Sequence, residues 1–119
     1  MNKYINIFVV GFLFIATIPL STFADDKTDF CGYVHTVVAA TALKRNFDIP
    51  VEQAIKDLQD NLQKYLPNIS IYRTNYLISL VDAVYKEPKN VSGKKLAETA
   101  AYGCSVSAYE KLINLERNQ

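Results

Sequence analysis

The residues of this 119-residue chain that could perform covalent or acid–base chemistry are scattered rather than grouped in a recognisable motif. His35 is the only histidine. A catalytic imidazole needs a group to orient it or a nucleophile to activate. Asp29 and Asp82 are the carboxylates of interest, yet no spacing sets either beside His35. Ser105 and Ser107 lie in a helical stretch without the glycine-flanked elbow that exposes a nucleophilic serine. Cys31 and Cys104 form no CxxC, and one histidine falls short of the usual ligand set of a tetrahedral zinc. The chain also lacks a phosphate-cradling glycine loop, HExxH and the EF-hand pattern. The expectation is a protein that is not an enzyme and needs no cofactor or metal. His35 then reads as a partly buried hydrogen-bonded residue or a pH-sensitive interface residue.

The chemistry that remains is that of binding. The chain has eight tyrosines and no tryptophan. Tyr33, Tyr72, Tyr102 and Tyr109 fall off or at the border of the apolar stripes described below. Amphipathic aromatics at a rim suit protein-binding surfaces. The competing reading is a small core closed by tyrosines whose hydroxyls reach water. With His35, these four are the candidate partner-binding residues. Lys86, Lys89, Lys94 and Lys95 form a basic corner around the Glu87–Gly93 loop, suited to an acidic partner or simply solvated. Asp82 sits within an apolar stripe, where pairing with Arg45 or Arg73 would fix helix register; in an open groove it becomes a binding residue. Asn68-Ile69-Ser70 and Asn90-Val91-Ser92 match the glycosylation triplet. The Asn/Lys/Ile-rich leader has a bacterial character, so both triplets read as chance matches.

The leader sets the compartment. Lys3 precedes an apolar run from Ile5 to Leu20, and Pro19 comes just before Ser21-Thr22-Phe23-Ala24. Small residues at Thr22 and Ala24 predict a signal peptide over 1–24, cleaved after Ala24. An uncleaved anchor is the alternative, since about 16 apolar residues fall only slightly short of a bilayer span. Residues 25–119 then form a single domain, periplasmic or secreted. The chain carries 13 basic and 12 acidic residues, and removal of Lys3 leaves the two signs equal. Such neutrality argues against nucleic acid or an anionic membrane as partner. Two cysteines in an exported chain predict one disulfide, with free thiols or a two-ligand metal site as the alternative.

Four helices position these residues. The first begins at Thr28 or Asp29, runs to Asn46, and turns inward Cys31, Val34, Val38 and Ala42, flanked by Phe30 and Val37. Thr41 borders that stripe, within reach of a carbonyl one turn earlier. Pro50 opens the second helix, with Ala54, Ile55, Leu58, Leu62, Tyr65 and Leu66 inward, and Pro67 ends it. Asn68 or Ser70 begins the third, whose core face includes Tyr72, Tyr76, Leu77, Leu80, Val81 and Val84. Ser92 caps the fourth, which turns Leu96, Ala97, Ala100, Ala101, Cys104, Ala108, Leu112 and Leu115 inward. The expected fold is all-α: a small four-helix bundle with one disulfide joining its first and last helices.

The layout resembles a group of small exported bacterial proteins with one cysteine pair and an all-helical body. The matching features are Cys31 opening a helix, Lys44-Arg45 before Ile49-Pro50, Val84-Tyr85-Lys86-Glu87-Pro88 closing the third helix, and Cys104 on the last. In size, export and cysteine placement the chain is also similar to periplasmic immunity proteins that neutralise the peptidoglycan-amidase effectors of type VI secretion. Its Cys104-to-Tyr109 helix resembles their C-terminal helix. No functional residue carries over. The expected function is an exported, non-enzymatic protein-binding domain, of the inhibitor or immunity kind, with an unidentified protein partner. The alternatives are an envelope stress chaperone or a structural protein of the periplasm; a homodimer through the tyrosine face would occupy the same surface.

Overall fold

The computed structural model describes residues 26–118, so the predicted signal segment and its cleavage site lie outside the described residues. The elements are α1 (Asp26–Asn46), α2 (Val51–Tyr65), α3 (Ile71–Lys86), α4 (Gly93–Gly103), a π turn (Cys104–Ala108) and α5 (Tyr109–Arg117). The last three run on as one fourth helix. The bundle is therefore all-α, and Cys31 and Cys104 are joined across a sequence separation of 73 residues.

α1 is the hub. It touches each of the other helices and buries Phe30, Cys31, Val34, Val37, Val38 and Ala42, the predicted stripe, together with Thr41 and Arg45. Thr41 donates its hydroxyl to the Val37 carbonyl at 2.7 Å, so a buried polar side chain is satisfied within its own helix. The fourth helix lies closest to α1. A Cβ built on Gly93 would stand 2.9 Å from the Ala42 Cβ, so glycine is required for this approach. Leu77 and Val81 of α3 are fully buried, and Ala54, Leu58 and Leu62 of α2 complete the core.

The ends of the helices follow from local chemistry. α1 closes in a Schellman arrangement: Ile49 N–H donates to the Lys44 carbonyl and Asp48 N–H to that of Arg45. Asp48 takes the left-handed conformation there, φ 60°, which a short polar side chain tolerates. Ser70 and Ser92 cap α3 and the fourth helix by accepting from the amides of Arg73 and Lys95. Both Asn-x-Ser triplets thus end on a serine that caps a helix.

Four expectations are corrected. α1 begins at Asp26, before the predicted cap. The buried row of α2 stops at Leu62, leaving Tyr65 and Leu66 standing 62% and 40% exposed at the rim of a groove. Asp82 is exposed, and both arginines offered as its partners are engaged elsewhere. Leu115 points outward because of the π turn. An i→i+5 turn spends one extra residue, so Tyr109 rather than Ala108 comes round beneath Cys104. Beyond it the inward row becomes Tyr109, Leu112 and Glu116.

A 73-residue closed loop restricts the unfolded chain enough to stabilise the fold by about 4 kcal/mol. Replacing both cysteines with alanine should lower the unfolding free energy by roughly this amount in urea titrations. An unchanged midpoint would contradict it.

Candidate functional site

Two arginines, Arg45 and Arg73, mark two sites at opposite ends of α1. Arg45 continues the buried row of α1 (31, 34, 38, 42, 45) into the layer between α1, α3 and the α3–α4 loop and is only 4% exposed. Its Nη1 donates to the carbonyls of Val84 and Glu87, each at 3.3 Å. Its Nη2 donates to those of Val91 at 2.9 Å and Lys89 at 3.5 Å, and Nε to Asn46 Oδ1 at 3.1 Å. Among the described residues no carboxylate pairs with it. The charge is held by carbonyl dipoles alone, those of the α3 C-terminus included, where the helix end is partially negative.

The consequence is a loop with a fixed backbone. Glu87, Lys89 and Val91 turn their carbonyls inward onto one guanidinium, Val91 N–H closes a turn on Pro88, and Ser92 caps the next helix. Outward stand the exposed side chains of Pro88, Lys89 and Asn90. Lys89 reaches back to Asp48, and the Tyr85 hydroxyl donates to the Ile49 carbonyl at 2.7 Å, tying the loop base to the α1–α2 turn. A groove of about 750 Å³ runs beside the loop, and the exposed Asp82 lies along it with Lys86 and Glu87.

The second site lies about 28 Å away along α1, by helix rise. There Arg73 pairs with Glu116, Nε to Oε2 at 2.9 Å, and with Asp26, Nη2 to Oδ2 at 3.0 Å. Its guanidinium lies 4.9 Å from the Phe30 ring centroid and 5.5 Å from that of Tyr109. The hydroxyls of Tyr109 and Ser70 donate to Asp26 and Glu116. Arg73 holds the Asp26 carboxyl below its ordinary value, chiefly through the hydrogen bond, while burial and the Asp26 charge raise the Tyr109 phenol. Beside this cluster opens a groove of about 790 Å³, walled by Tyr33, Tyr65, Leu66 and Ile69.

The candidate tyrosines divide. Tyr33 is half-buried, lines the groove and donates to Asn61 Oδ1 at 2.9 Å; burial pushes its phenol up to about 12. Tyr109 serves the Arg73 cluster. The structure thus brings these two to one end of the bundle. Tyr72 is packed half-buried against the core, and His35 is half-buried on α1. Tyr102 is 71% exposed with Val106, 57% exposed, one turn on. None of these three candidates lines the groove. Arg45, Arg73 and Glu116 were not singled out as site residues from the sequence. The position of Arg45 on the buried row was a usable signal; that of Glu116 was hidden by the π turn.

No protein-family model, curated protein or solved structure matches the chain. The class of molecule defined by fold and geometry is therefore a disulfide-linked helical bundle with a rigid loop at one end and an aromatic groove at the other.

Two consequences are measurable. Arg45→Met removes the side-chain donor shared by four carbonyls, three of them part-buried, and should destabilise the fold by roughly 2–4 kcal/mol. Arg45→Lys should recover less than half, because an ammonium cannot span the same acceptors. Urea unfolding checks both, and amide exchange at Val91 should rise in step. The Asp26 contribution follows pH. Because its folded pKa is lowered, that stability is fully present above the unfolded value of 3.8 and is lost as pH falls through the folded one. Asp26 is 54% exposed, so solvent screening limits the effect to below about 1 kcal/mol. The stability gap between the wild type and Asp26→Asn should be visible at pH 6 and narrow as pH falls below the unfolded value of 3.8.

Proposed function

We propose that the protein is an exported, non-enzymatic protein-binding module of the bacterial periplasm, acting as an inhibitor or immunity protein. The observation that carries this reading is the 87–92 loop, whose backbone is fixed from beneath by Arg45. Ordering a flexible loop subtracts from affinity, and a loop already ordered in the free protein avoids that loss. Pro88, Lys89 and Asn90 form its outward tip, and Lys86, Lys94 and Lys95 flank it. Such a tip suits entry into an acidic cleft, which complements the charge. Export is supported by the disulfide, since such bonds persist in oxidising compartments. Among the described residues no helix is long and apolar enough to cross a membrane.

A second reading, an envelope chaperone loosened by acid, is favoured by one observation. Asp26 fastens the start of α1 to Arg73 of α3, its carboxyl is held below the ordinary value by that arginine, and a low pH releases it.

Affinity capture from periplasmic extract separates the two. The oxidised protein should retain a specific partner that is lost with a Lys89→Ala/Asn90→Ala variant of equal stability. An enzymatic partner should lose its activity in stoichiometric mixture. Capture unaffected by the loop variant, or an uninhibited partner, refutes the inhibitor reading. Suppression of client aggregation only below about pH 3, where carboxylates are protonated, would establish the chaperone instead.

A further inference from the structure

The outward side of α1 differs from that of its neighbours. α2 turns Lys56, Asp60 and Lys64 to solvent, and the fourth helix turns Lys94, Lys95 and Glu98. From Phe30 to Leu43, α1 carries no Asp, Glu, Lys or Arg, yet part of its circumference faces water. The outward row is Gly32, Thr36, Ala40, Leu43 and Phe47, with the half-buried Ala39 beside it. Steps of three and four put these residues on one face. Leu43 is 58% exposed and Phe47 72%. The polar member is satisfied within the helix, since Thr36 donates its hydroxyl to the Gly32 carbonyl at 3.3 Å. Covering this face therefore strands no charge and no hydrogen bond. Glycine weakens a helix relative to alanine, and a Cβ built on Gly32 meets nothing within 4 Å. Packing within the chain does not call for a glycine there.

We infer that this face pairs with the same face of a second copy, antiparallel about a two-fold axis level with residues 37–38. The order of side-chain sizes points to that occupant. Size rises along the face from Gly32 through Thr36, Ala39 and Ala40 to Leu43 and Phe47. The antiparallel register sets Leu43 of each copy over Gly32 of the other, Ala39 against Thr36, and Phe47 against Thr28. Each large side chain then fills a small position, and the small middle lets the two backbones approach. A parallel pair stacks Leu43 on Leu43 and leaves the glycine end open. The antiparallel contact is isologous and closes at two copies. Residues 32–47 span about 24 Å of helix, and pairing over that length buries about 800 Å² in all. A standard interface buries about 1,600 Å², so this pair is transient, with a Kd of about 100 µM. The 87–92 loop sits at the Arg45 end of α1, so the two loops emerge at opposite ends of the pair and stay uncovered.

Sedimentation equilibrium of the oxidised protein tests this over about 10–500 µM. The apparent mass should climb toward twice the monomer and no further. Leu43→Glu buries a charge in the pair and should weaken it at least about tenfold. Gly32→Leu fills the space that Leu43 of the other copy needs and should weaken pairing to a similar degree. Its urea midpoint should hold or rise, because the added side chain starts in open space and favours helix. The Lys89→Ala/Asn90→Ala variant should pair as the wild type does, which keeps this contact separate from the loop-based reading. A monomer mass throughout, growth beyond the dimer, or pairing indifferent to either Leu43→Glu or Gly32→Leu would overturn the proposal. So would loss of pairing in the loop variant.

Discussion

Every helix of this bundle depends on burial of the first. α1 is in contact with α2, α3 and the fourth helix at once, so apolar residues wrap most of its circumference along the middle. The closeness of the α1–α4 contact, with Gly93 against Ala42, leaves no room there for a polar side chain. A buried hub of this kind excludes charge from its own centre. Polar groups gather where the packing ends, and α1 has two such places: Asp26 at its first residue and Arg45 in its last turn.

The two arginines anchored there illustrate different solutions to holding a guanidinium out of water. Arg73 keeps its own counter-charges, Asp26 and Glu116, and lies 14% exposed. Its surroundings respond to acid through Asp26 and to salt through screening, because both alter the charges that stabilise it. Arg45 is more deeply placed and relies on backbone carbonyls and one asparagine. Carbonyls do not titrate, so the geometry of the 87–92 loop is insulated from pH in a way that the α1 N-terminal end is not. One end of the molecule is chemically responsive, and the other is fixed.

The helices were legible because their punctuation is explicit: Pro50, Pro67, Ser70, Pro88 and Ser92 each lie at a boundary that the chain observes. The cysteine pairing followed from a chain predicted to be exported that carries two cysteines, both on inward rows. What escaped the sequence has physical causes. Tyr65 and Leu66 continue a periodic stripe, but periodicity does not say where the covering helices stop. Leu115 continues one too, and a π turn carries no signature in Cys104-Ser105-Val106-Ser107-Ala108 that distinguishes it from α-helix. That single extra residue moved Tyr109 and Glu116 inward and created the Arg73 cluster. Asp82 lay within an apolar run and attracted an inward reading, yet the buried Arg45 is held by carbonyls rather than by a carboxylate.

The position of the disulfide divides the molecule topologically. Residues 31–104 form a covalent circuit that contains Arg45, the 87–92 loop and most of the core. Asp26 and Phe30 precede it, and Tyr109 and Glu116 follow it, so the acid-responsive end is built largely from two tails. Arg73, with Ser70 beside it, reaches out from the circuit to gather them. Fraying of either tail meets the Cys31–Cys104 link before it can reach the loop. The protein can therefore lose order at one end while the geometry of the other stays enclosed.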